Sequence, residues 1–289
     1  MNTRDLEYFE ALVKIKNFSQ VAADFGVTQP TITMALKRLE SHFGIQLIDR
    51  DQSHGQLTIT PAGEQLFTRV QVINAQLALA QKELAATRHP QIRFGLPPII
   101  GSFYFPTLAP RLVAADLMTR LDTHEDGSAN LLTALRAGHL DVALLGAINA
   151  LQAPDLDVRQ VTTAPFTLVM PTDHPLAKRS QVDFAELATE PFVSLSEGFV
   201  HTKALAWFVT ATGIQPSIVY RTPDVTLLKQ MIHARVGIGL LAQMAVTAND
   251  HLATVALTNA GQPHFSISVV TRRGQVFTPA MQQLLTLLN

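Results

Sequence analysis

The residues best suited to contacting another molecule lie between Phe18 and Leu39, in the stretch FSQVAADFGVTQPTITMALKRL. Small and apolar residues recur there at helical spacing, and Gly26 can end a first helix in a conformation that other residues resist. The spacing predicts two short helices joined by a tight turn. The outward side of the second helix is predicted to carry Pro30, Thr33, Met34, Lys37 and Arg38.

Such a helix pair is suited to DNA recognition. A helix that enters the major groove needs short donors and acceptors for base edges near its amino terminus, with cations nearby for phosphates. The first role fits Gln29, Thr31 and Thr33, and the second fits Lys37, Arg38 and Arg50. The alternative is an ordinary amphipathic helix pair, because residues 1–60 contain six basic and seven acidic side chains and hold no excess of positive charge.

Local start signals predict where these helices begin. Ser19 is expected to cap the first helix and Thr28 the second, since their hydroxyls can accept hydrogen bonds from the first-turn N–H groups. Thr60 followed by Pro61 predicts the start of a long helix running to residue 88.

From Gln91 onward, short apolar strands alternate with helical segments. This alternation predicts βαβ units with a largely parallel sheet and helices on both faces. Two such sets occur, which predicts an α/β fold with two lobes: lobe I from residues 90–162 and 266–289, and lobe II from residues 163–265. The chain is expected to cross between them near Val161–Pro165 and to return near Phe265–Thr271.

The composition excludes several classes of protein. With 22 Lys and Arg against 23 Asp and Glu, the net charge of -1 leaves no polycationic tail that could hold nucleic acid or lipid by bulk charge. No cysteine is present, which excludes disulfides, thiolate catalysis and cysteine-based redox sensing. The amino terminus lacks a signal-peptide pattern, and the longest apolar stretch is too short to span a membrane. We therefore expect a cytoplasmic protein without membrane contacts.

Three further motifs could suggest chemistry, and we favour a structural interpretation of each. His124-Glu125-Asp126 could be a metal or acid/base set, but adjacent residues at a strand end point in different directions. Gly237-x-Gly239 lacks the third glycine of a dinucleotide fingerprint. No serine lies in a nucleophile elbow. We therefore predict neither an enzyme nor a cofactor or metal site.

The amino-terminal region resembles the winged helix-turn-helix of the LysR-type transcriptional regulators. The matching pieces are Phe9, Phe18-Ser19, Ala22-Ala23, Thr28-Gln29-Pro30, Lys37 to Glu40, Gly44, Leu47, Arg50, Leu57-Thr58 and Thr60-Pro61-Ala62-Gly63. The resemblance implies a DNA-binding domain at residues 1–60, a linker and dimerisation helix at 61–89, and an effector-binding domain at 90–289 that resembles a periplasmic binding protein. The opening run LEYFEALVKIKNFSQVA is similar to regulators of malolactic and other organic-acid operons.

In that family the carboxyl-terminal domain holds a small effector between its lobes, which points to loops at the carboxyl ends of strands. The candidates selected in this way are Ser102, Phe103, Ser128, Asn130, Ala147, His201, Thr202 and Lys203. They offer hydroxyl, amide and cationic donors without a cluster of carboxylates, which suits a small carboxylate ligand. Ser102 and Thr202, one from each lobe, are the pair expected to matter most.

The resemblance also implies dimers through the long helix, often assembled into tetramers, on double-stranded DNA with an interrupted palindrome, and RNA polymerase is a candidate partner. Two positions depart from the family pattern. Members usually place Arg or another polar residue where Met34 stands, and they carry a second basic residue in the wing, where DQSHGQ offers only His54. The identity of the bases that are read therefore stays open.

Two alternatives stay open as well. The α/β domain could be a solute-binding or enzymatic domain attached to a helix-turn-helix that serves protein contacts, which a turnover assay beside a DNA-binding assay distinguishes. The chain could instead bind DNA constitutively, without an effector. A thermal shift with a panel of metabolites tests this, because a ligand that binds only the folded state must raise its stability.

Overall fold

The fold is described from a computed structural model that covers residues 1–51, 56–86 and 91–288. The chain divides into two compact units, Met1–Ala85 and Ala86–Asn289. In the described residues, no helix is both long enough and apolar enough to cross a membrane.

The first unit is a winged helix-turn-helix followed by one long helix. Its helices are α1 (Thr3–Ile15), α2 (Phe18–Asp24), α3 (Gln29–Phe43) and α4 (Pro61–Ala86). The strands β1 (Ile48–Asp51) and β2 (Gln56–Ile59) pair in antiparallel fashion before α4. An apolar core holds the three short helices together, and its largest fully buried members are Phe9, Leu12, Ile32, Leu39 and Leu47.

Two of the predicted helix caps differ from the structure. Asn17, not Ser19, caps α2, because its side-chain oxygen accepts hydrogen bonds from the Ser19 and Gln20 N–H groups, each at 3.0 Å. Thr28 does precede α3, but its hydroxyl lies 2.9 Å from the Thr31 hydroxyl and does not cap the backbone. The predicted turn is confirmed, since Gly26 has a φ of 63° in the left-handed region that favours glycine.

The start of α4 is the predicted one. The Thr60 hydroxyl accepts a hydrogen bond from the Gly63 N–H at 3.1 Å and donates to the Leu47 carbonyl oxygen at 3.1 Å. Gly63 is required here, because a Cβ at that position would lie 2.2 Å from the same Leu47 oxygen. The sequence Thr-Pro-Ala-Gly therefore joins the start of the long helix tightly to Leu47, the residue before β1.

The second unit is an α/β domain with ten strands and six helices among the described residues. The strands are β3 (Ile92–Leu96), β4 (Leu121–Glu125), β5 (Val142–Ala147), β6 (Leu156–Pro171), β7 (Gln181–Val182), β8 (Pro191–Leu195), β9 (Ser217–Thr222), β10 (Gly239–Ala242), β11 (Leu252–Leu257) and β12 (His264–Arg272). The helices are α5 (Pro98–Phe103), α6 (Phe105–Ala114), α7 (Ser128–Arg136), α8 (Val200–Thr212), α9 (Val225–His233) and α10 (Pro279–Leu287).

The main sheet is mixed, so the prediction of a largely parallel sheet was wrong. Its order is β4-β3-β5-β12-β6-β11-β7, with β10 also on β6, while β8 and β9 form a separate parallel pair. Strand β3 is parallel to β4 and β5, but β12 is antiparallel to both of its neighbours, as are β10 and β11 to β6. Alternating strands and helices reveal βαβ units, but they do not reveal the direction of a strand that returns late in the chain.

Strand β6 links the two halves of the domain. It has 16 residues; Leu156–Pro165 pairs with β12, and Phe166–Pro171 pairs with β10 and β11. The crossing predicted near residues 161–165 lies inside this strand. The two halves of the domain therefore share one continuous strand of the main sheet.

Candidate functional site

The outward face of α3 is the first candidate site. Ile32, Ala35, Leu36 and Leu39 are buried on its inner side. The other predicted residues of this helix lie on the outside or at its flanks: Thr31 and Thr33 are half-buried, and the exposed ones are Gln29, Pro30, Met34, Lys37 and Arg38. The helix thus carries all the predicted base and phosphate contacts except Arg50, which lies in β1.

Two of these side chains are already engaged within the first unit. The Ser19 hydroxyl lies 3.4 Å from the Gln29 side-chain oxygen and can donate to it, and the Thr31 hydroxyl is paired with Thr28. This contact uses only the oxygen of the Gln29 carboxamide. The amide nitrogen of Gln29 is still available as a hydrogen-bond donor. This contact connects α2 to the beginning of α3.

Arg38 also has a partner, which the sequence did not predict. Its Nη2 lies 2.5 Å from Asp5 Oδ1 and its Nε lies 3.2 Å from Asp5 Oδ2. Asp5 is fully buried and completes a capping box with Asn2 at the start of α1. Burial raises the pKa of this carboxyl, but hydrogen bonds from Arg38 and the Asn2 N–H outweigh that effect and lower the pKa overall. The Arg38 guanidinium is therefore fixed against α1, and Lys37 is the exposed cation beside it.

The two basic positions considered for the wing are Arg50 and His54. The backbone of Arg50 lies in β1 opposite Leu57, but its side chain lies outside the described residues, and so does the whole of His54.

The second candidate site is a cavity of about 270 Å³ in the α/β domain, which we name the Ser128 cavity. Its walls come from both halves of the domain. Ser128, Gly146 and Ala147 line one side, and Gly198, Val200 and Lys203 line the other. The Ser128 oxygen accepts a hydrogen bond from the Gly146 N–H at 3.0 Å, so its own proton is available to a ligand. Three of the predicted effector residues, Ser128, Ala147 and Lys203, thus converge here.

A larger cavity of about 720 Å³, which we name the Lys229 cavity, is lined in part by two other predicted effector residues, Ser102 and Phe103. Lys229 is almost completely buried, and its ammonium donates to the Ala245 carbonyl oxygen at 2.9 Å and contacts Asp250 Oδ1 at 2.8 Å. The same nitrogen lies 4.7 Å from the centre of the Phe103 ring, which approaches from the other half of the domain. Burial raises the pKa of Asp250, but the hydrogen bonds from Lys229 and Thr247 outweigh it and lower the pKa.

The sequence did not single out Lys229. A signal for it exists, because a lysine that follows Val225 by four positions and precedes Ile232 by three lies on the buried side of its helix. A charge on an apolar stripe needs a partner, which the structure supplies as Asp250.

The remaining predicted effector residues, Asn130, His201 and Thr202, line neither of these two cavities. Asn130 is exposed, and its side-chain nitrogen donates to Asp126 Oδ1 at 3.0 Å. The Thr202 hydroxyl donates to the Phe199 carbonyl oxygen at 2.6 Å, within the first turn of α8. Thr202 lines neither of the two cavities, so the structure does not bring it opposite Ser102 as predicted.

His201 is buried, and the expectation that it could offer a cationic donor was wrong. Its ring packs against Phe166 and Phe265, and its Nε2 accepts a hydrogen bond from the Ala242 N–H at 3.0 Å. Complete burial without a carboxylate partner lowers the pKa of this imidazole to about 3. The ring is therefore neutral at physiological pH and belongs to the core.

Two of the motifs that we interpreted as structural have the following surroundings. His124 is exposed, with its Nε2 3.3 Å from Asp122, and among the described residues no group of three or more His, Cys, Asp or Glu is placed to hold a metal. A Cβ at Gly237 would lie 2.4 Å from the Pro191 carbonyl oxygen, so this glycine permits a close approach of two backbones.

Comparison with known families assigns both units. Residues 3–64 match the bacterial regulatory helix-turn-helix protein, lysR family, and residues 85–289 match the LysR substrate binding domain. The chain therefore belongs to the LysR family, whose members are DNA-binding transcriptional regulators with an effector-binding domain. The predicted combination of a winged helix-turn-helix with a two-lobed α/β domain is confirmed.

Relatives cover the chain over its full length. The malolactic fermentation system transcriptional activator of Lactococcus lactis is 28% identical over 290 residues, which span 100% of this chain and 98% of that protein. The dual regulator OxyR of Escherichia coli K12 is also 28% identical, over 98% of this chain and 93% of its own.

Solved structures share the fold. Full-length BenM superposes with a TM-score of 0.58 at 18% identity, covering 100% of this chain and 95% of its own. The effector binding domain of QuiR in complex with shikimate reaches a TM-score of 0.60 at 16% identity, over 69% of this chain and 95% of its own.

Proposed function

We propose that this regulator responds to a small carboxylate bound in the Ser128 cavity. The observation that carries the proposal is the lining of that cavity: among the described residues it includes both Lys203 and Ser128 and no Asp or Glu. A carboxylate would receive a charge-assisted hydrogen bond from Lys203 and a neutral one from Ser128. The helix α7 begins at Ser128 and adds the partial positive charge of its amino terminus.

Two relatives support this ligand class. QuiR binds shikimate, a hydroxylated carboxylate, and another relative is named for malolactic fermentation. Other relatives are activators of hydrogen peroxide-inducible genes, but this chain has no cysteine, so a thiol cannot report peroxide here. We therefore infer a response to a ligand and not to an oxidant.

Binding in this cavity can regulate the protein because its two walls come from different halves of the domain. A ligand shifts a conformational equilibrium only if it binds one arrangement more tightly than the other. Lys203 on one side and Ser128 on the other supply such a difference, since a ligand touches both only at one separation.

We expect Lys203→Met to weaken the binding of a responsive carboxylate about tenfold or more, because one charge-assisted hydrogen bond contributes roughly 1.5–3 kcal/mol. Isothermal titration with a panel of small carboxylates, L-malate and shikimate included, measures this effect. Thr202→Ala is the matched control, since its hydroxyl bonds to its own helix, and it should keep the parental affinity. Equal affinity in the parent and Lys203→Met would place the effector elsewhere.

For DNA, we propose that α3 enters the major groove, with Gln29 and Thr33 towards bases and Lys37 towards phosphate. Arg50 is a further phosphate contact by resemblance. The protein would act in the cytoplasm as a regulator without enzymatic activity, on an interrupted palindrome whose half-sites are whole helical turns of about 10 base pairs apart. RNA polymerase is its expected partner at the promoter.

Dimers are proposed to form through α4. Val72, Ile73 and Leu77 on this helix are exposed by 58%, 43% and 37%, although they are apolar. A twofold partner helix would bury them and place two recognition helices on one duplex. Pairs of dimers would then form the tetramers that the resemblance implies.

The double variant Ile73→Glu/Leu77→Glu should therefore be monomeric and bind its operator weakly, because two buried carboxylates per helix cannot be accommodated in an apolar interface. Multi-angle light scattering gives the mass, and an electrophoretic mobility shift gives the affinity. Gln71→Glu/Gln76→Glu adds the same charge at two exposed polar positions of the same helix and serves as the control. An unchanged dimer mass in the Ile73/Leu77 variant would remove this face from the interface.

A further inference from the structure

Met34 occupies the outermost line of the recognition helix α3. The four buried residues Ile32, Ala35, Leu36 and Leu39 define the inner side. At 100° per residue, Met34 lies about 150° from the centre of that stripe, which is almost opposite to the core. Half of its surface is exposed, in contrast to every other large apolar side chain on α3 before Phe43.

Apart from Lys37, the side chains around Met34 on this face are short or already engaged. Arg38, one turn later, is held by Asp5. Thr31, one turn earlier, is half-buried and paired with Thr28, and Pro30 has no N–H and no polar side chain. Lys37 is exposed beside Met34 and carries the charge that suits phosphate.

The chemistry of methionine limits what it can recognise in a major groove. A thioether carries no N–H or O–H donor, and placing it against the polar edge of guanine, cytosine or adenine would desolvate those groups without a hydrogen bond. Thymine alone of the four bases presents an apolar group there, its C5 methyl. The flexible, polarisable methionine side chain adapts well to such a contact.

We propose that Met34 contacts the C5 methyl group of a thymine in each half-site and so selects T·A at that base pair. This inference rests on the DNA-binding function of the chain. Where an arginine at this position would read guanine through hydrogen bonds, Met34 reads a methyl group through apolar contact. A methylated cytosine, which presents the same methyl group, should be accepted in place of thymine better than cytosine is.

The test uses the full-length protein and a duplex that it selects from a random-sequence library. In each test duplex, the thymine at one position of the half-site is replaced by uracil, and the same replacement is made in the second half-site. Uracil differs from thymine only by the missing methyl group. Fluorescence anisotropy then gives the affinity of the parent, of Met34→Ala and of Lys37→Ala for each duplex. Met34 and Lys37 are both exposed, so neither substitution should disturb the fold, and thermal melting checks this.

For one thymine position, loss of the methyl group should weaken binding by the parent about three- to fivefold per half-site, the effect expected for one buried methyl group. Met34→Ala should bind the thymine and uracil duplexes equally. Lys37→Ala should bind every duplex more weakly and yet keep the parental ratio, because its contact is to phosphate. At that position, 5-methylcytosine should bind the parent more tightly than cytosine.

A parent protein that is indifferent to every single uracil replacement would overturn the proposal, as would a Met34→Ala variant that keeps the parental ratio. In both cases the protein still binds the selected duplex, and only the role of Met34 fails. Failure of the parent to select any duplex would overturn the DNA-binding function and this inference with it.

Discussion

Lowering the pH from 6.5 to 4 should reduce the free energy of unfolding of the α/β domain by about 3 kcal/mol more in the parent than in His201→Gln. The folded pKa of His201 is lowered to about 3, while the unfolded side chain titrates near its ordinary value of about 6.5. The neutral ring is therefore favoured by the fold, and this contribution is fully present above pH 6.5. Between pH 6.5 and 3 the unfolded state takes up a proton that the folded state excludes, so stability falls by up to about 1.4 kcal/mol per pH unit.

Urea unfolding followed by the fluorescence of Trp207, the one tryptophan of the chain, reports on this domain. Glutamine is the suitable replacement because its side-chain oxygen can still accept the hydrogen bond from the Ala242 N–H. His233→Gln is the matched control: this histidine is exposed, and the variant should follow the parent at every pH. If the parent and His201→Gln lose stability in parallel on acidification, His201 is not excluded from protonation in the folded state.

Lys229→Met should destabilise the α/β domain by about 3 kcal/mol at neutral pH, because it leaves a largely buried carboxylate without its cation. The side chains of Lys229 and Asp250 are only 10% and 18% exposed. Asp250 keeps its hydrogen bonds from Thr247, which places the expected loss at the lower end of the range for broken buried pairs. The Phe103 ring also loses the cation above it.

Three further measurements bear on this prediction. Arg235→Met breaks an ion pair with Asp173 whose side chains are 69% and 54% exposed, and it should cost less than about 0.5 kcal/mol. The double variant Lys229→Met/Asp250→Asn should regain part of the loss, because no buried charge then lacks a partner. The cost of Lys229→Met should shrink as the pH is lowered, because burial raises the pKa of Asp250 and the Lys229 cation no longer opposes that effect. Equal losses in Lys229→Met and Arg235→Met would show that the buried pair adds no more than a surface pair.

The sequence predicted best those features that depend on neighbouring residues. Gly26 and Thr60 have the roles expected of them, because a left-handed turn and a helix cap are set by a few adjacent residues. The buried and exposed sides of α3 likewise follow from its periodicity. Even here the cap of α2 was misassigned by two positions, because Asn17 is itself a favoured capping residue and accepts hydrogen bonds from the Ser19 and Gln20 N–H groups.

Features that depend on distant residues could not be predicted in this way. The pairing of Arg38 with Asp5 joins positions 33 apart, and periodicity carries no information about it. His201 follows a glycine-containing loop, which predicted an exposed side chain. In the structure, Phe166 of β6 and Phe265 of β12 pack against its ring. The candidate effector residues were selected as a set from strand ends, and only the folded domain separates those around Ser128 from those around Lys229.

The continuity of strand β6 affects how ligand binding can move one half of the domain relative to the other. The first and second segments of β6 form hydrogen bonds with strands of different halves of the domain, although the two segments belong to one continuous strand. Leu156–Pro165 pairs with β12 and Phe166–Pro171 with β10 and β11, so a change of angle at the junction of Pro165 and Phe166 would break neither ladder. We therefore expect a ligand to bend and twist β6 at this junction, so that each half of the domain moves as a body while its backbone hydrogen bonds stay intact.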